Sequence, residues 1–476
     1  MACTHVGDVG GVDIQQPQNP GRSKLAVPYL LAFLFFAAYS VLSVARYERL
    51  ATRSWDLAIF QQAIAGYAHL QLPIVNIKGP GFSLLGDHFS PLLVLFAPFY
   101  RVFPTPVTLL VGQAFLIAVS VIPVTRAATR LLGQPPGVII GLAYGLSWGL
   151  QNAVDFDFHE VALAVPLLAF SLAALLRQRW RACVLCALPL VLVKEDLAMT
   201  VCMLGVVLVI LGQRRWGTAL STYGVVTFAL IVGVVIPRLN PQGNYDYWSK
   251  LGGSAGSSPL TALPSALLHL VSPSEKLHTV FLLLVITAFL ALRSPIVLLV
   301  LPTVCWRFLS DNDQYWGAQW HYDAILMPIM FLAMIDAIAR IRGSRRAWLR
   351  AYARIAAPAV LVVALVLCCH FPFKDLISSS TYQANPRAGA GASAVAAVPV
   401  GTTVESDLGL LTQLVAGHTV FWLGNAAAVN PDYLVVDSQS WDAPADLPAF
   451  ARQLHPGTTY RIIFKQDGYT VLHRVK

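Results

Sequence analysis

Charge is scarce in this chain: 12% of its 476 residues are Asp, Glu, Lys or Arg, while 56% are hydrophobic. A soluble domain carries about a quarter charged residues, so the composition excludes an ordinary soluble protein and fits a polytopic membrane protein. Cysteine is sparse too. The seven cysteines (Cys3, Cys183, Cys186, Cys202, Cys305, Cys368, Cys369) lie mostly inside apolar runs, where cysteine behaves as a small hydrophobe. Their spacing makes neither a disulfide framework nor a zinc site. Cys183 and Cys186 form a CxxC, but in an apolar helix beside "RQRWR" it carries no redox or metal reading. No Gly-rich phosphate loop of the P-loop or dinucleotide type is present.

What the chain has is apolar runs of about 16 to 21 residues, recurring from Leu25 to Leu367 and close to the roughly 20 needed to cross a bilayer as a helix. Helices are the expected form, because backbone groups in lipid must be paired internally. The run from Leu25 is too long for a signal-peptide core and has no small-residue cleavage site after it, so it reads as a retained span. The Gly-, Gln- and Pro-rich residues 1–24 before it read as a disordered cytoplasmic tail.

The net charge of +9 is unevenly placed. Arg126 and Arg130, Arg177 to Arg181, Arg214 and Arg215, Arg293, and the cluster from Arg340 to Arg354 occupy short connections without Asp or Glu. This is the positive-inside signature, and it explains the charge without nucleic acid as a partner. The acidic and histidine groups fall in the alternate connections, which places them on the outer face. Parity then predicts about eleven spans, near residues 25–44, 106–125, 137–153, 161–176, 182–194, 197–212, 217–236, 277–292, 295–309, 324–339 and 355–370. The amino end is inside and the carboxyl end outside. Residues 25–370 form the membrane domain, with a first outer loop at 46–105 in which "PLLVLFAPFYRVF" lies in the interface as a short helix. In the run 182–212, "KED" (Lys194 to Asp196) divides two short helices that meet in a wet cavity. After a linker at 371–395, alternating strand-like and helical stretches predict a small α/β domain at 396–476 outside the membrane.

Ionisable residues near membrane segments are expensive and mark proton relays, ion paths or catalytic groups. In "DFDFHE", an extended backbone would turn Asp155, Asp157 and His159 to one side and both phenylalanines to the other. A divalent metal on Asp157, His159 and Glu160 is one use of such a cluster. Asp56 opens a helix-like stretch, "SWDLAIFQQAI", and is read either as a general base or as a helix N-cap. Asp87 and His88 sit before the interfacial helix. Arg101, Lys194 and His321 supply cationic or switchable groups suited to a phosphate, although Lys194 also has Glu195 and Asp196 at hand. Asp311 and Asp313 read as loop residues in water.

"WDLAIFQQAI", "HFSPLLVLFAPFY", "DFDFHEVALAVPLLAF", "LVKEDLAM" and "WHYDAILMPIMFLA", in this order, resemble the bacterial predicted membrane proteins grouped as domain of unknown function 2079 (DUF2079). The likeness runs from about Arg46 to Ala339. That family is placed near the GT-C glycosyltransferases, which transfer a sugar from a polyprenyl phosphate to an acceptor on the outer side of the membrane. The resemblance implies a GT-C-like helical membrane fold in the bacterial plasma membrane, and a cell-envelope glycan or glycoprotein as acceptor. It makes Asp56 the candidate base, with Asp155 or Asp157 as the second outer acid. The paired acids of some GT-C first loops are absent beside Asp56. Substrate-facing residues on this reading are Asp87, His88, Arg101, His159, Glu160, Lys194, Glu195, His321 and Tyr322. The competing classes are a proton-coupled transporter or lipid flippase, which predicts an internal repeat that the sequence lacks, and a noncatalytic scaffold.

Overall fold

The structure, a computed structural model, describes residues 22–52, 54–247 and 272–475. Most of the amino-terminal tail and the centre of the loop between Arg238 and Lys276 lie outside the described residues. Helix α1 (Arg22–Glu48) exposes Tyr29, Leu30, Phe33 and Leu34 along one side, an apolar face suited to lipid. Then come α2 (Asp56–Ala68) and two 3-10 turns, followed by a 3-10 segment, Pro91–Phe96, that runs into α3 (Ala97–Val102). The helical stretch expected from Pro91 is there.

The membrane domain continues with α4 (Pro106–Leu132), α5 (Gln134–Gly145), α6 (Trp148–Asp155), α7 (Val161–Leu176), α8 (Trp180–Ala187), α9 (Leu197–Ile210) and α10 (Arg214–Leu230). A π-helical turn joins α10 to α11 (Ile236–Leu239). After α12 (Ser274–Val285), a 3-10 segment leads into α13 (Leu301–Leu309), and α14 (Leu326–Arg342) and α15 (Ala347–Cys368) close the domain.

Every one of the eleven expected segments is at least partly helical, but among the described residues five helices are long and apolar enough to cross a membrane. They are Ala26–Glu48, Pro106–Leu132, Arg214–Leu239, His321–Arg342 and Ala347–Cys368. The others are short or broken. The stretch expected as one span at 137–153 ends its first helix at Gly145 and restarts at Trp148. The stretch from 277 loses its helix after Val285, where Ala288 and Phe289 adopt positive φ. Lys194 to Asp196 separate a 3-10 segment ending at Leu192 from α9, the break that the three charges imply.

Charge is segregated along the long axis of the bundle. At one end Arg126 donates to the Tyr29 hydroxyl, Arg342 donates to the Leu132 carbonyl, and Arg177 lies within the electrostatic reach of Arg126, Arg130 and Arg179. At the opposite end of α1, Arg46 pairs with Asp155 at 2.9 Å.

Beyond α15 the chain makes two 3-10 turns and α16 (Ala388–Ala396), then a five-stranded sheet. Its strands are β1 (Thr403–Ser406), β2 (Thr419–Trp422), β3 (Tyr433–Asp437), β4 (Tyr460–Gln466) and β5 (Tyr469–Arg474), in the order β2-β1-β3-β5-β4. The first three are parallel, β1 and β2 connected through α17 (Leu411–Val415) and β2 and β3 by a loop without a helix; β5 adds antiparallel to β3, and β4 antiparallel to β5. One face of the sheet buries Leu434, Val436 and Leu472 against Leu447 and Ala451 of α18 (Leu447–Leu454). The other, with Val404, Val420, Val435 and Val471, belongs to the same hydrophobic core as the membrane helices.

Candidate active site

A cavity of about 940 Å³ opens between the first outer loop, α9, α10, α13 and the loop before α14. It has two characters. Its lining includes the ionisable side chains of Asp56, Lys78, His88, His159, Lys194 and His321, and an apolar set, Met199, Met203, Phe228, Leu301 and Pro302, that forms a trough on α9, α10 and α13.

Asp56 is the first residue of α2, and Trp55 occupies the N-cap position without a side-chain bond. Asp56 therefore does not cap the helix. Its carboxylate instead accepts from the Ser54 hydroxyl at 3.1 Å, and both residues line the cavity. The helix dipole favours a negative group in this first turn.

The segment "DFDFHE" is not extended. Asp155 is the last residue of α6, and Asp157 has φ +75°, a left-handed conformation uncommon outside glycine. The expected alternation therefore fails, and the polar groups point different ways. Asp155 pairs with Arg46, and neither Asp155 nor Asp157 lines the cavity. Gln113 of α4 fixes the turn: its amide donates to the Asp157 carbonyl, and its oxygen accepts from the His159 backbone N–H at 3.0 Å. Phe158 is clamped between Phe60 and Phe96, with ring centroids 5.6 and 5.2 Å away. His159 is left facing the cavity, stacked on His321 with ring centroids 3.5 Å apart.

Behind His159 stands Glu160, fully buried. Its carboxylate oxygens approach His159 Nδ1 to 2.6 Å and Lys194 Nζ to 3.3 Å. Burial opposes the charge of Glu160, but His159 and Lys194 outweigh it and hold the group well below the usual carboxylate range. Burial also lowers the pKa of His159, against the pull of Glu160. Lys194 thus pairs with Glu160, while Glu195 accepts from the Phe89 N–H and the Tyr245 hydroxyl and lies 3.6 Å from His88. Burial disfavours a charge on His88, but Asp87 and Glu195 more than offset it and raise its pKa. Lys78 pairs with Asp87.

Arg101 stands apart. Its guanidinium donates to the Ala68 carbonyl at 2.7 Å, closing the carboxyl end of α2 rather than facing the cavity. Asp311 and Asp313 are exposed. The suggested metal trio does not converge: among the described residues, no three His, Cys, Asp or Glu side chains are placed to hold a metal ion.

Sequence reasoning missed the aromatic wall. Trp320 packs on Phe156 at 5.2 Å, Phe156 on His321 at 4.7 Å, and His321 on Tyr322 at 4.1 Å; Trp306 and Tyr315 follow at 6.0 and 5.3 Å from Tyr322. All six line the cavity. The signal was present in "QYWGAQWHYD", whose rings come at irregular spacing and match no periodic pattern. Beneath the wall Arg307 is fully buried, bonded to Asp323 at 2.8 Å and to the carbonyls of Tyr315 and Gly317.

The chain belongs to the predicted membrane protein family DUF2079, whose profile matches residues 46–471. The match extends past the Arg46 to Ala339 likeness seen in the motifs and takes in the carboxyl-terminal sheet. No curated protein matches the chain. Among solved structures, the crystal structure of ArnT from Cupriavidus metallidurans bound to undecaprenyl phosphate is similar, with a TM-score of 0.58 at 13% identity, covering 95% of this chain and 98% of that one. The apo ArnT structure gives 0.53 at 15% identity, covering 94% and 98%. At these identities the likeness is one of fold: this is a multi-pass membrane protein with a GT-C-like fold.

Proposed function

We infer that the protein is an integral membrane glycosyltransferase that moves a sugar from a polyprenyl-phosphate donor to a cell-envelope acceptor on the outer face of the membrane. The observation that carries this reading is the two-part cavity. A polyprenyl-phosphate sugar is itself two-part, and the trough between α9, α10 and α13 suits the apolar chain while the ionisable side chains suit the phosphate and the reacting sugar. The binding of undecaprenyl phosphate by ArnT, whose fold this chain shares, supports the same class of lipid.

In this mechanism the acceptor hydroxyl attacks the anomeric carbon through an oxocarbenium-like transition state. The bond from that carbon to the phosphate oxygen breaks, the bond to the acceptor oxygen forms, and the hydroxyl proton passes to Asp56. Lys194 and Lys78 stabilise the departing phosphate. Asp155 contributes by holding the end of α6 through its pair with Arg46. The basic end of the bundle is cytoplasmic and the cavity end is outside.

The test is transfer by purified protein in lipid, with radiolabelled polyprenyl-phosphate sugars and a cell-envelope extract. Asp56→Asn is expected to lower transfer about 10²- to 10⁴-fold, the usual contribution of a general base, while retaining lipid-phosphate binding. Failure of the wild type to bind or consume any such donor would overturn the reading in favour of transport.

A further inference from the structure

The aromatic wall holds polar atoms that the fold leaves without partners. The indole N–H groups of Trp306 and Trp320 are buried and make no hydrogen bond, and the same holds for both ring nitrogens of His321, a residue only 2% exposed. Buried donors are almost always satisfied, so orphaned ones that line a cavity call for a partner from outside the chain. Four such atoms on one cavity wall, beside flat rings, describe a surface that is apolar across its faces and hydrogen-bonding at its edges. A pyranose has the complementary character, with C–H faces that stack on rings and a rim of hydroxyl oxygens that accept from indole N–H.

Charge narrows the class of sugar. The cations near the wall are already engaged: Arg307 by Asp323 and two carbonyls, Lys194 by Glu160. An acidic sugar would be desolvated against Phe156 and the indoles, and the two lysines of the cavity are already shared between Glu160, Asp87 and, on the glycosyltransferase reading, the donor phosphate. The charged or chargeable groups acting most strongly on His321 are His159, Lys194, Arg307 and His88, none of them a carboxylate. The five residues of the wall include no carboxylate to pair with an ammonium sugar, and an indole has no lone pair to accept its protons; the carboxylate that acts on Tyr322, Asp56, is the proposed base.

We propose that Phe156, Trp306, Trp320, His321 and Tyr322 form the sugar subsite, and that it takes an uncharged, polyhydroxylated pyranose. This rests on the glycosyltransferase reading, since it assigns the sugar half of that same donor. Asp56 and Lys194 both act electrostatically on Tyr322, so the subsite lies within reach of the base and of the phosphate-binding group.

The experiment measures equilibrium binding to the full chain in lipid, using four probes: a short isoprenyl phosphate alone, and the same lipid carrying a neutral hexose, a hexuronate or a protonated aminohexose. The neutral glycoside is expected to bind at least about 10-fold tighter than either charged one. Trp320→Phe and Trp306→Phe, which keep a ring and remove the donor, should each weaken the neutral glycoside about 3- to 10-fold, the worth of one hydrogen bond, and leave the bare isoprenyl phosphate unchanged. That unchanged affinity also reports that the variants fold. If both variants bind the neutral glycoside within twofold of wild type, or a charged glycoside binds as tightly, the subsite is refuted while the glycosyltransferase reading stands. If bare isoprenyl phosphate does not bind the wild type, the underlying reading falls and takes the subsite with it.

Discussion

Glu160 shows how much a single buried carboxylate does in this site. It joins its chain neighbour His159 to Lys194 of the α8–α9 break, and nothing in the sequence between Glu160 and Lys194 announces that the two meet. Its folded pKa lies below the unfolded value of about 4.3, so its stabilisation is complete above that pH and is lost as pH falls toward the folded value. Glu160→Gln leaves Lys194 buried beside a neutral amide, a cost of about 3–5 kcal/mol at neutral pH. The variant should therefore melt below wild type at pH 7, and the gap should narrow between pH 5 and pH 3, as followed by thermal unfolding in lipid. A gap that is constant with pH would mean that the pair contributes nothing. Asp323→Ala, which strands the fully buried Arg307, should cost about as much and loosen the loop that presents Trp320 and His321, read as faster hydrogen exchange across residues 315–322. The roles of Asp155 and Asp157 were illegible for a related reason: the motif is dense in chemistry, but its direction is set by Gln113 and Arg46, more than 40 residues away.

At the level of elements, hydropathy marked where the chain meets lipid and was silent about where helices stop. The break at Lys194 to Asp196 was legible because three charges cannot sit in an apolar helix without water. The breaks at Leu146 and Ser147 and after Val285 were not, because the apolar run continues through them. The pairing of α9 with α10 was hidden for the same reason. A Cβ on Gly217 would lie 2.5 Å from the Gly205 carbonyl, and one on Gly224 2.5 Å from the Ala198 carbonyl, so the two helices touch backbone to backbone. Such close approach by small residues is how helices associate in lipid. Since Met199 and Met203 on α9 and Phe228 on α10 wall the trough, helix separation should be felt there. Gly217→Leu is expected to cost about 1–3 kcal/mol by overpacking and to weaken isoprenyl-phosphate binding. Unchanged melting and binding would show that the contact is dispensable.

Across the whole molecule, the carboxyl-terminal sheet was legible as a small α/β unit, but its docking was not, because every contact spans most of the sequence. Gln62 of α2 donates to the Val420 carbonyl on edge strand β2 and accepts from the Ile77 N–H; Asn425 donates to the Ile77 carbonyl; and Trp422 packs on Trp55 at 5.0 Å. The sheet thereby grips the segment that carries Trp55, Asp56 and Lys78. A double variant, Trp422→Ala with Asn425→Ala, should raise hydrogen exchange in residues 55–68 and 76–78 and lower kcat, with little change in lipid-phosphate affinity. Unaltered exchange would mean that the sheet rides on the loop without restraining it.

That grip also sets a clock. Gln62 and Val420 are 358 residues apart, and at about 5–20 residues per second a ribosome needs roughly 20 to 70 s to make the second after the first. During that interval the early loop has been made while the strand that holds it does not exist. On the glycosyltransferase reading, a nascent or prematurely ended chain lacking β2 would have no grip on the loop that carries Asp56 and Lys78, so an intact far end becomes the condition for a working site.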